Sequence, residues 1–322
     1  MSLRLRRWMV LSLAWLPLAA GAQSAVGDAA TDPVPEIKAG NLAFVAGFDT
    51  LYRLDLSNGA TSAVGSGFGF AGGAQIADVD GLAFSADGTL YAVADSPRPS
   101  LFRVSTASGR ATLIGQFREA GSLIDNGTNL NAAIGFTCSG KLLMASRERN
   151  RLWEVDLSNA EVRPIGSLST AIGGIAAVAS NVYALGVGSS AGLYRLNEPN
   201  ASANRIPNVL GDRPIPAGGA LAAASDGTLF AVVDPQPAAR QYLLAFSPDG
   251  GVTRELTITG SPFNSNNAAG IRALAIGPPV CAPLVVGAPG AASIPALDSR
   301  MLALLALLMG AIALVALRRT AP

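Results

Sequence analysis

The feature that most constrains the fold of this chain is a repeat of about fifty residues. Three segments share an aliphatic–aromatic pair, a polar turn and a final glycine: TLYRLDLSNGATSAVG, SLFRVSTASGRATLIG and RLWEVDLSNAEVRPIG. The pair begins at Leu51, Leu101 and Leu152, with weaker copies beginning at Leu193 and Leu243. These leucines are 50, 51, 41 and 50 residues apart, which is the period of a propeller blade.

A second unit lies upstream of each later copy. It reads GLAFSADGTLYAVAD at 81–95, IGFTCSGKLLMAS at 134–146, GIAAVASNVYALG at 174–186 and ALAAASDGTLFAVVD at 220–234. Each reads as two short apolar strands joined by a tight polar turn. The two units together predict four antiparallel strands per repeat.

The residue sizes within the repeat predict a wedge-shaped blade. Small residues on the innermost strand suit crowding at a central axis, and we assign this role to Ala83, Gly135, Ala176 and Ala222. Large aromatic residues farther out can fill the space between blades, and these are Tyr91, Phe102, Trp153 and Tyr194.

The two ends of the repeat region complement each other. The first copy, NLAFVAGFDTLYRL, lacks a preceding inner strand, whereas GIRALAIGPP at 270–279 is an inner strand with no second strand after it. We predict that the strand near Ile271 to Ile276 completes the blade begun at Asn41, leaving no open sheet edge. The prediction is an all-β, five-bladed propeller over residues 36–277. Six blades is the alternative count, and a two-sheet sandwich would leave the fifty-residue recurrence unexplained.

These repeats resemble those of secreted bacterial propellers with YVTN or NHL-like repeats. The resemblance spans residues 36–277 and rests on strand–turn–strand patterns such as Asp-Gly-Thr-Leu-Tyr at 87–91. It implies the fold alone, because members of this class have many unrelated functions.

Composition excludes several kinds of chemistry. The 322 residues include no histidine, which removes Ser-His-Asp triads, Cys-His pairs and imidazole metal sites. Charged residues make up 14% of the chain and the net charge is +1, so no nucleic-acid partner is expected.

Polar residues precede several inner strands and would face the central channel. They are Asp78 and Asp80 in IADVDGL, Asn129 and Asn131 in TNLNAAIGF, and Asn266 and Asn267 in SNNAAG. Asp78, Asp80 and Asn131 could hold calcium or another divalent cation, because hard cations take oxygen ligands. Such an ion could polarise a lactone or an ester. The alternative is that these residues are ordinary turn formers.

Two further carboxylates end the second strand of their repeats. Because Asp95 and Asp234 recur in equivalent loops, we interpret them as structural caps. Only one blade presents acids above the channel, so the converging carboxylates of a glycosidase are not indicated.

The two cysteines leave their pairing open. Cys138 lies in the turn FTCSGKL and Cys281 follows the closing strand in PPVCAP. Both would lie on the same face of the ring, but in blades that are not neighbours. A disulfide fits an exported protein, and two separate thiols fit the distance between the blades.

The N-terminus has the three parts of a secretory signal. Arg4, Arg6 and Arg7 form a basic region, an apolar run extends over 8–19, and small residues end at Ala22. We predict cleavage after Ala22 by signal peptidase, leaving residues 23–35 as a mature N-terminal linker. The protein is therefore expected to be exported.

The C-terminus predicts a membrane segment. A Pro, Gly and Ala-rich linker covers 278–293, and the apolar run 301–317 ends at Arg318 and Arg319, which would stay in the cytoplasm. The order of Ile294-Pro295-Ala296-Leu297, apolar helix and arginine pair resembles the IPTL-CTERM sorting domain, with Ala296 where that family has threonine. The resemblance covers 294–319 within the predicted sorting and membrane segment 294–322, and it implies processing by an exosortase-like enzyme of Gram-negative bacteria. A permanent anchor is the alternative.

Two functions are compatible with these features. The first is a non-catalytic module that binds an unknown extracellular polymer, glycan or protein and needs no cofactor. The second is a divalent-metal hydrolase of the lactonase type centred near Asp80. In either case we expect the protein to be held in the inner membrane at least transiently, and then to lie at the cell surface or outside the cell.

Overall fold

The structure is a computed structural model of the full chain. It describes residues 42–124, 129–211, 215, 219–233, 241–263, 270–278 and 281. The predicted signal peptide, the sorting motif at 294–297 and the membrane segment with Arg318 and Arg319 lie outside the described residues. No helix within the described ranges is long and apolar enough to cross a membrane.

The described residues form strands in five groups, which we call blades I to V. Blade I contains β1 (Ala43–Ala46), β2 (Leu51–Leu54) and β3 (Thr61–Val64), followed by a hairpin of β4 (Phe70–Ala71) and β5 (Ala74–Gln75). Blade II contains β6 (Ala77–Phe84), β7 (Leu90–Ser96), β8 (Ser100–Val104) and β9 (Ala111–Gln116), followed by a hairpin of β10 (Arg118–Glu119) and β11 (Ser122–Leu123).

The later blades follow the same plan. Blade III contains β12 (Ala132–Phe136), β13 (Leu142–Ser146), β14 (Arg151–Val155) and β15 (Val162–Ser167). Blade IV contains β16 (Ile172–Val178), β17 (Asn181–Gly186), a 3-10 turn (Gly188–Ser190), β18 (Gly192–Asn197) and β19 (Ser202–Ile206). Blade V contains β20 (Gly219–Ala223), β21 (Leu229–Val233), β22 (Tyr242–Ser247) and β23 (Gly251–Thr257), and the last strand is β24 (Ala273–Ile276).

The last strand closes the ring. β24 pairs antiparallel with β1, so that blade I has the order β24-β1-β2-β3, and blades II to V each have four strands in chain order. The prediction of five blades closed by the segment near Ile271 to Ile276 is confirmed, and the sandwich alternative is wrong. The described residues form five four-stranded sheets of a β-propeller.

Small residues let the innermost strands meet around the axis. A side chain at Gly135 would place its Cβ 2.6 Å from the backbone oxygen of Ile175 in the next blade, and one at Gly174 would lie 2.3 Å from the backbone nitrogen of Leu221. Such distances are impossible for a real Cβ. The predicted small inner-strand positions do line the axial channel near the ends of the innermost strands, which we call its lower part: Ala83, Gly135, Ala176 and Ala222.

The glycine that ends each strong repeat has a packing role. A Cβ at Gly115 would lie 2.5 Å from the backbone oxygen of Asn159, and one at Gly166 would lie 3.1 Å from that of Asn200. Both contacts are with the turn between the third and fourth strands of the following blade. These glycines follow the repeat leucines Leu101 and Leu152 by fourteen residues each, and this constant spacing reflects close contact between neighbouring blades.

A disulfide joins two blades that are not neighbours. Cys138 follows β12 in blade III and Cys281 follows β24 in blade I, with their Cα atoms 4.9 Å apart. The prediction that both cysteines lie on the same face of the ring is confirmed. Of the two alternatives for their pairing, the structure has the disulfide. The bridge therefore joins the closing strand of blade I to blade III, with blade II lying between them.

Candidate functional site

Three carboxylates converge at the upper end of the axial channel, where the innermost strands begin. Asp78 and Asp80 lie on β6, Asp95 lies on β7, and carboxylate oxygens of all three lie within 4.8 Å of one another. We call these three residues the acidic cluster. Asp78 and Asp80 were predicted to lie above the channel. Asp95 was interpreted as a structural cap, but its carboxylate also belongs to this cluster.

The backbone of β6 departs from regular strand geometry within the cluster. Val79 pairs with Ala94 and Gly81 pairs with Val93, so Asp80 is an extra residue in a β-bulge. Asp78 has a φ of 57°, which is unusual for any residue other than glycine. A bulge redirects a side chain relative to its neighbours, and both irregularities fall on the residues that carry the carboxylates.

A guanidinium from the closing segment contacts the acidic cluster. Arg272, which immediately precedes β24, donates from Nη1 to Asp78 Oδ1 at 2.8 Å and to Asp80 Oδ1 at 3.3 Å. Ring closure therefore brings a cation from one end of the repeat region to two carboxylates near its other end. This contact links blades I and II.

Residues of blade III complete the cluster's surroundings. The backbone N–H of Asn131 donates to Asp95 Oδ2 at 2.8 Å, and the side chain of Asn129 donates to Asp78 Oδ2 at 2.9 Å. The side-chain amide of Asn131 donates to Glu148 Oε1 at 2.9 Å. Asn131 was predicted as a metal ligand, and in this structure it caps Asp95 through its backbone.

Two oxygen atoms of the cluster are buried without a hydrogen-bond partner among the described residues: Asp80 Oδ2 and Asp95 Oδ1. The pKa of Asp80 is raised to about 7, mainly by burial and in addition by the charges of Asp95 and Asp78, against the lowering effect of Arg272. Burial also raises the pKa of Asp95, against hydrogen bonds from the backbone of Asn131 and Leu130. Around neutral pH the cluster therefore favours a bound proton or another positive charge.

We expect stability to fall as pH rises through this range. The folded Asp80 keeps its proton up to about pH 7, whereas an unfolded aspartate loses it near pH 4, so the folded state binds more protons between these values. The free energy of unfolding should therefore decrease by up to about 1.4 kcal/mol per pH unit from this group. Urea unfolding from pH 4.5 to 7.5 with chelator present would measure this slope.

The matched variants for that experiment are Asp80→Asn and Asp226→Asn. Asparagine at position 80 cannot ionise, so the free energy of unfolding should decrease less steeply with pH. The remaining decrease should come from Asp95, whose pKa is also raised. Asp226 lies in an exposed turn of blade V, where its Oδ1 accepts from the backbone of Thr228, and its replacement controls for the change from aspartate to asparagine away from the cluster. If the free energy of unfolding of Asp80→Asn decreased with pH as steeply as that of the wild type, the expectation would be contradicted.

The space beside the cluster is small. A cavity of about 10 Å³ lies there, which is room for one water molecule or one ion. Its walls come from all five blades and consist of Asp80, Asn131, Ala133, Arg147, Gly173, Gly219 and Arg272. The other predicted polar residues near this face, Asp234, Asn266 and Asn267, lie outside the described residues. This cavity is therefore too small for an organic substrate.

A much larger cavity opens on the lower face, between blades III and IV. This interblade cleft has a volume of about 790 Å³. It is lined by Lys141, Leu143, Glu154, Pro164, Ile165, Ser180, Asn181, Val182, Arg195, Leu196, Asn197, Glu198, Pro199 and Asn204. Its floor lies over the buried Leu143, Val182 and Leu196, and its accessible apolar surface comes from Pro164, Ile165 and Pro199. Its rim is polar, and includes an ion pair between Lys141 and Glu154 at 3.0 Å.

The cleft lies where large side chains are scarce. The buried apolar cluster between blades III and IV contains one aromatic residue, Tyr194, among the described residues. The corresponding cluster between blades II and III contains four: Tyr91, Phe117, Phe136 and Trp153. The predicted aromatic fillers are all buried, as expected, but they are unevenly distributed. Comparing aromatic content between repeats could have indicated this gap from the sequence.

The comparisons with known proteins do not assign a function. No protein-family model matches the chain, and no curated protein matches it significantly. A solved structure of a protein of unknown function from Bacteroides caccae is similar at 10% identity over 74% of this chain and 98% of that one, with a TM-score of 0.45.

Two other similar structures come from different functional classes. A chain in the nidogen/laminin complex has 16% identity over 69% of this chain and 79% of its own, with a TM-score of 0.44. An engineered GH43 glycoside hydrolase has 12% identity over 58% of this chain and 42% of its own, also with a TM-score of 0.44. Functional inference therefore depends on the geometry of this chain.

Proposed function

We propose that the protein is a non-catalytic binding or scaffold module whose ligand occupies the interblade cleft. The observation that carries this proposal is the cleft's volume of about 790 Å³, which is in the range of ligand sites. The cavity beside Asp80 at the channel mouth, by contrast, has space for a single water or ion. The cleft has an apolar floor and a polar rim, the usual arrangement of a recognition site.

The lining favours a peptide segment of a partner protein as the ligand. The exposed Pro164 and Pro199 and the partly exposed Ile165 in the lining can contact an apolar side chain. Asn181, Asn197 and Asn204 at the rim can bond to a peptide backbone, since an amide side chain both donates and accepts. No aromatic side chain lines the cleft among the described residues, which disfavours a glycan that would stack on such a ring.

We expect that filling the cleft will abolish this binding. Asn204 lies on the exposed outermost strand β19 and is paired with Arg195, so Asn204→Trp should occlude the cleft with little effect on the fold. A random peptide library displayed on phage would be panned on the purified full-length chain. Selected peptides should bind the Asn204→Trp variant at least ~10-fold more weakly, measured by fluorescence anisotropy.

The chain contains a matched control position for this variant. Thr112 lies on the outermost strand of blade II and is paired with Arg103, as Asn204 is paired with Arg195. Thr112→Trp adds the same side chain away from the cleft, and should leave peptide affinity unchanged. A library that yields only peptides insensitive to Asn204→Trp would contradict the proposal.

The second candidate is a divalent-metal hydrolase with its site above the channel. The specific observation in its favour is the convergence of Asp78, Asp80 and Asp95. The small cavity beside these residues counts against it, because a lactone or ester needs more room than one water molecule. Hydrolysis of a lactone panel that is lost with a chelator and in Asp80→Asn would favour this candidate over the binding module.

We also propose where the protein acts, and the support for this is in the sequence alone. Signal peptidase would remove residues 1–22 during export. The tail at 294–322 would then hold the propeller at the outer side of the inner membrane until an exosortase-like enzyme processes it. The unknown extracellular ligand would meet the propeller at or beyond the cell surface.

A further inference from the structure

We propose that the acidic cluster of Asp78, Asp80 and Asp95 is the binding site of one calcium ion, which has a structural role at the junction of blades I, II and III. This inference goes beyond the proposed binding function. The interblade cleft is on the lower face, whereas the acidic cluster is at the upper end of the channel. Either proposal can therefore fail without the other.

The first argument comes from buried oxygen atoms that have no partner. Asp80 is 6% exposed and Asp95 is 5% exposed, and each has one carboxylate oxygen without a hydrogen bond among the described residues. Leaving a buried carboxylate oxygen unbonded is costly, and native proteins usually satisfy such atoms. Both oxygens belong to the same cluster, and Asp80 and Asp95 can share one proton in a side-chain hydrogen bond. When both carboxylates are ionised, a cation placed between them would satisfy both oxygens.

The second argument comes from the spacing of the carboxylates. Calcium binds oxygen at about 2.3–2.6 Å, so two ligands of one ion are at most about 5 Å apart. The carboxylate oxygens of Asp78, Asp80 and Asp95 lie within 4.8 Å of one another. The three side chains can therefore coordinate a common ion.

The third argument comes from charge. With all three acids ionised, the cluster carries three negative charges, and the guanidinium of Arg272 offsets one of them. Arg147 also lines the adjacent cavity, but its Nε lies 3.7 Å from Oε1 of Glu148, so the charges of these two side chains offset each other. The remaining charge of two matches a divalent cation.

The fourth argument comes from the size of the adjacent space. The cavity of about 10 Å³ can contain a single ion or water and excludes an organic ammonium group. Because Arg272 joins the cluster from blade I and the backbone of Asn131 joins it from blade III, an ion would strengthen contacts among three blades. This is consistent with a structural role for the ion.

The test uses the full-length chain after treatment with EDTA and dialysis. Calcium chloride would be titrated at pH 8 by calorimetry, and thermal unfolding would be followed with and without 10 mM calcium. We expect one site per chain with a Kd of about 0.1–1 mM, as in extracellular calcium modules. We expect calcium to raise the Tm by about 5 °C.

Asparagine variants separate calcium binding from a merely structural role of the acids. Asp80→Asn and Asp95→Asn relieve the repulsion between carboxylates, so without calcium their Tm should equal or exceed that of the wild type. The calcium-dependent rise should nevertheless disappear. Asp226→Asn, in an exposed turn of blade V, should retain the full rise.

If Asp80→Asn and Asp95→Asn fail to fold, the partly exposed Asp78 offers a milder change. Asp78→Asn should weaken calcium binding at least ~10-fold in the same titration, because it removes one charged ligand. Absence of both heat and Tm change in the wild type up to 10 mM calcium would overturn the proposal. An unchanged calcium response in the folded asparagine variants would also overturn it.

Discussion

Removal of residues 270–278 is expected to abolish the cooperative unfolding transition and to cause aggregation on expression. β24 is the innermost strand of blade I, and without it the backbone edge of β1 is unpaired. The strand also fills two apolar clusters at once. Leu274 and Ile276 pack between blades I and V, whereas Ala273 and Ala275 pack between blades I and II. Both clusters would open toward water.

Differential scanning calorimetry and size-exclusion chromatography would measure this effect. The deletion would be made in a chain with both cysteines replaced by serine, so that loss of the disulfide does not contribute. The control is deletion of Gly72 and Gly73 at the tip of the exposed β4–β5 hairpin, where a Cβ would contact nothing within 4 Å. Cooperative unfolding of the 270–278 deletion at the Tm of its parent would contradict the role of the closing strand.

Replacing Cys138 and Cys281 with serine is expected to lower the free energy of unfolding by about 2–5 kcal/mol. The bridge spans 143 residues of sequence, so it restricts a large part of the unfolded chain. It also ties the end of the closing strand to blade III, which should oppose opening of the ring at blade I. The loss should therefore appear mainly as faster unfolding.

Equilibrium and kinetic unfolding in guanidinium chloride, with and without a reductant, would test this expectation. Reductant should destabilise the wild type by the same amount as the double replacement, and it should not affect the double-serine chain. That comparison separates loss of the bridge from any effect of the serine side chains. A wild-type unfolding midpoint that does not respond to full reduction would contradict it.

The acidic cluster illustrates which parts of a site are readable from sequence. Asp78 and Asp80 were assigned to the channel because they precede an inner strand. Asp95 could have been added, because β6 and β7 form an antiparallel hairpin, in which the start of one strand meets the end of the other. The contribution of Arg272 is of another kind. It depends on closure of the ring between segments 192 to 194 residues apart.

The sequence by itself determined the fold, because a propeller repeats one local unit. Contacts within a blade or with the next blade require the strand pattern, the polar turns and the glycines Gly115 and Gly166. Because these contacts are the same in each blade, the sequence features recur with the period of the blade. The unpaired first and last segments indicated closure for the same reason. Export and the tail are sequence features too, and they remain predictions.

Only the tertiary structure decided the sites. The disulfide, the buried oxygens of Asp80 and Asp95, and the interblade cleft each depend on distances between blades. A repeat pattern specifies which strands are neighbours, but it does not specify how completely each interface is filled or which charges remain unpaired. Those properties depend on the particular side chains that the closed ring brings together, and so they follow from packing in three dimensions.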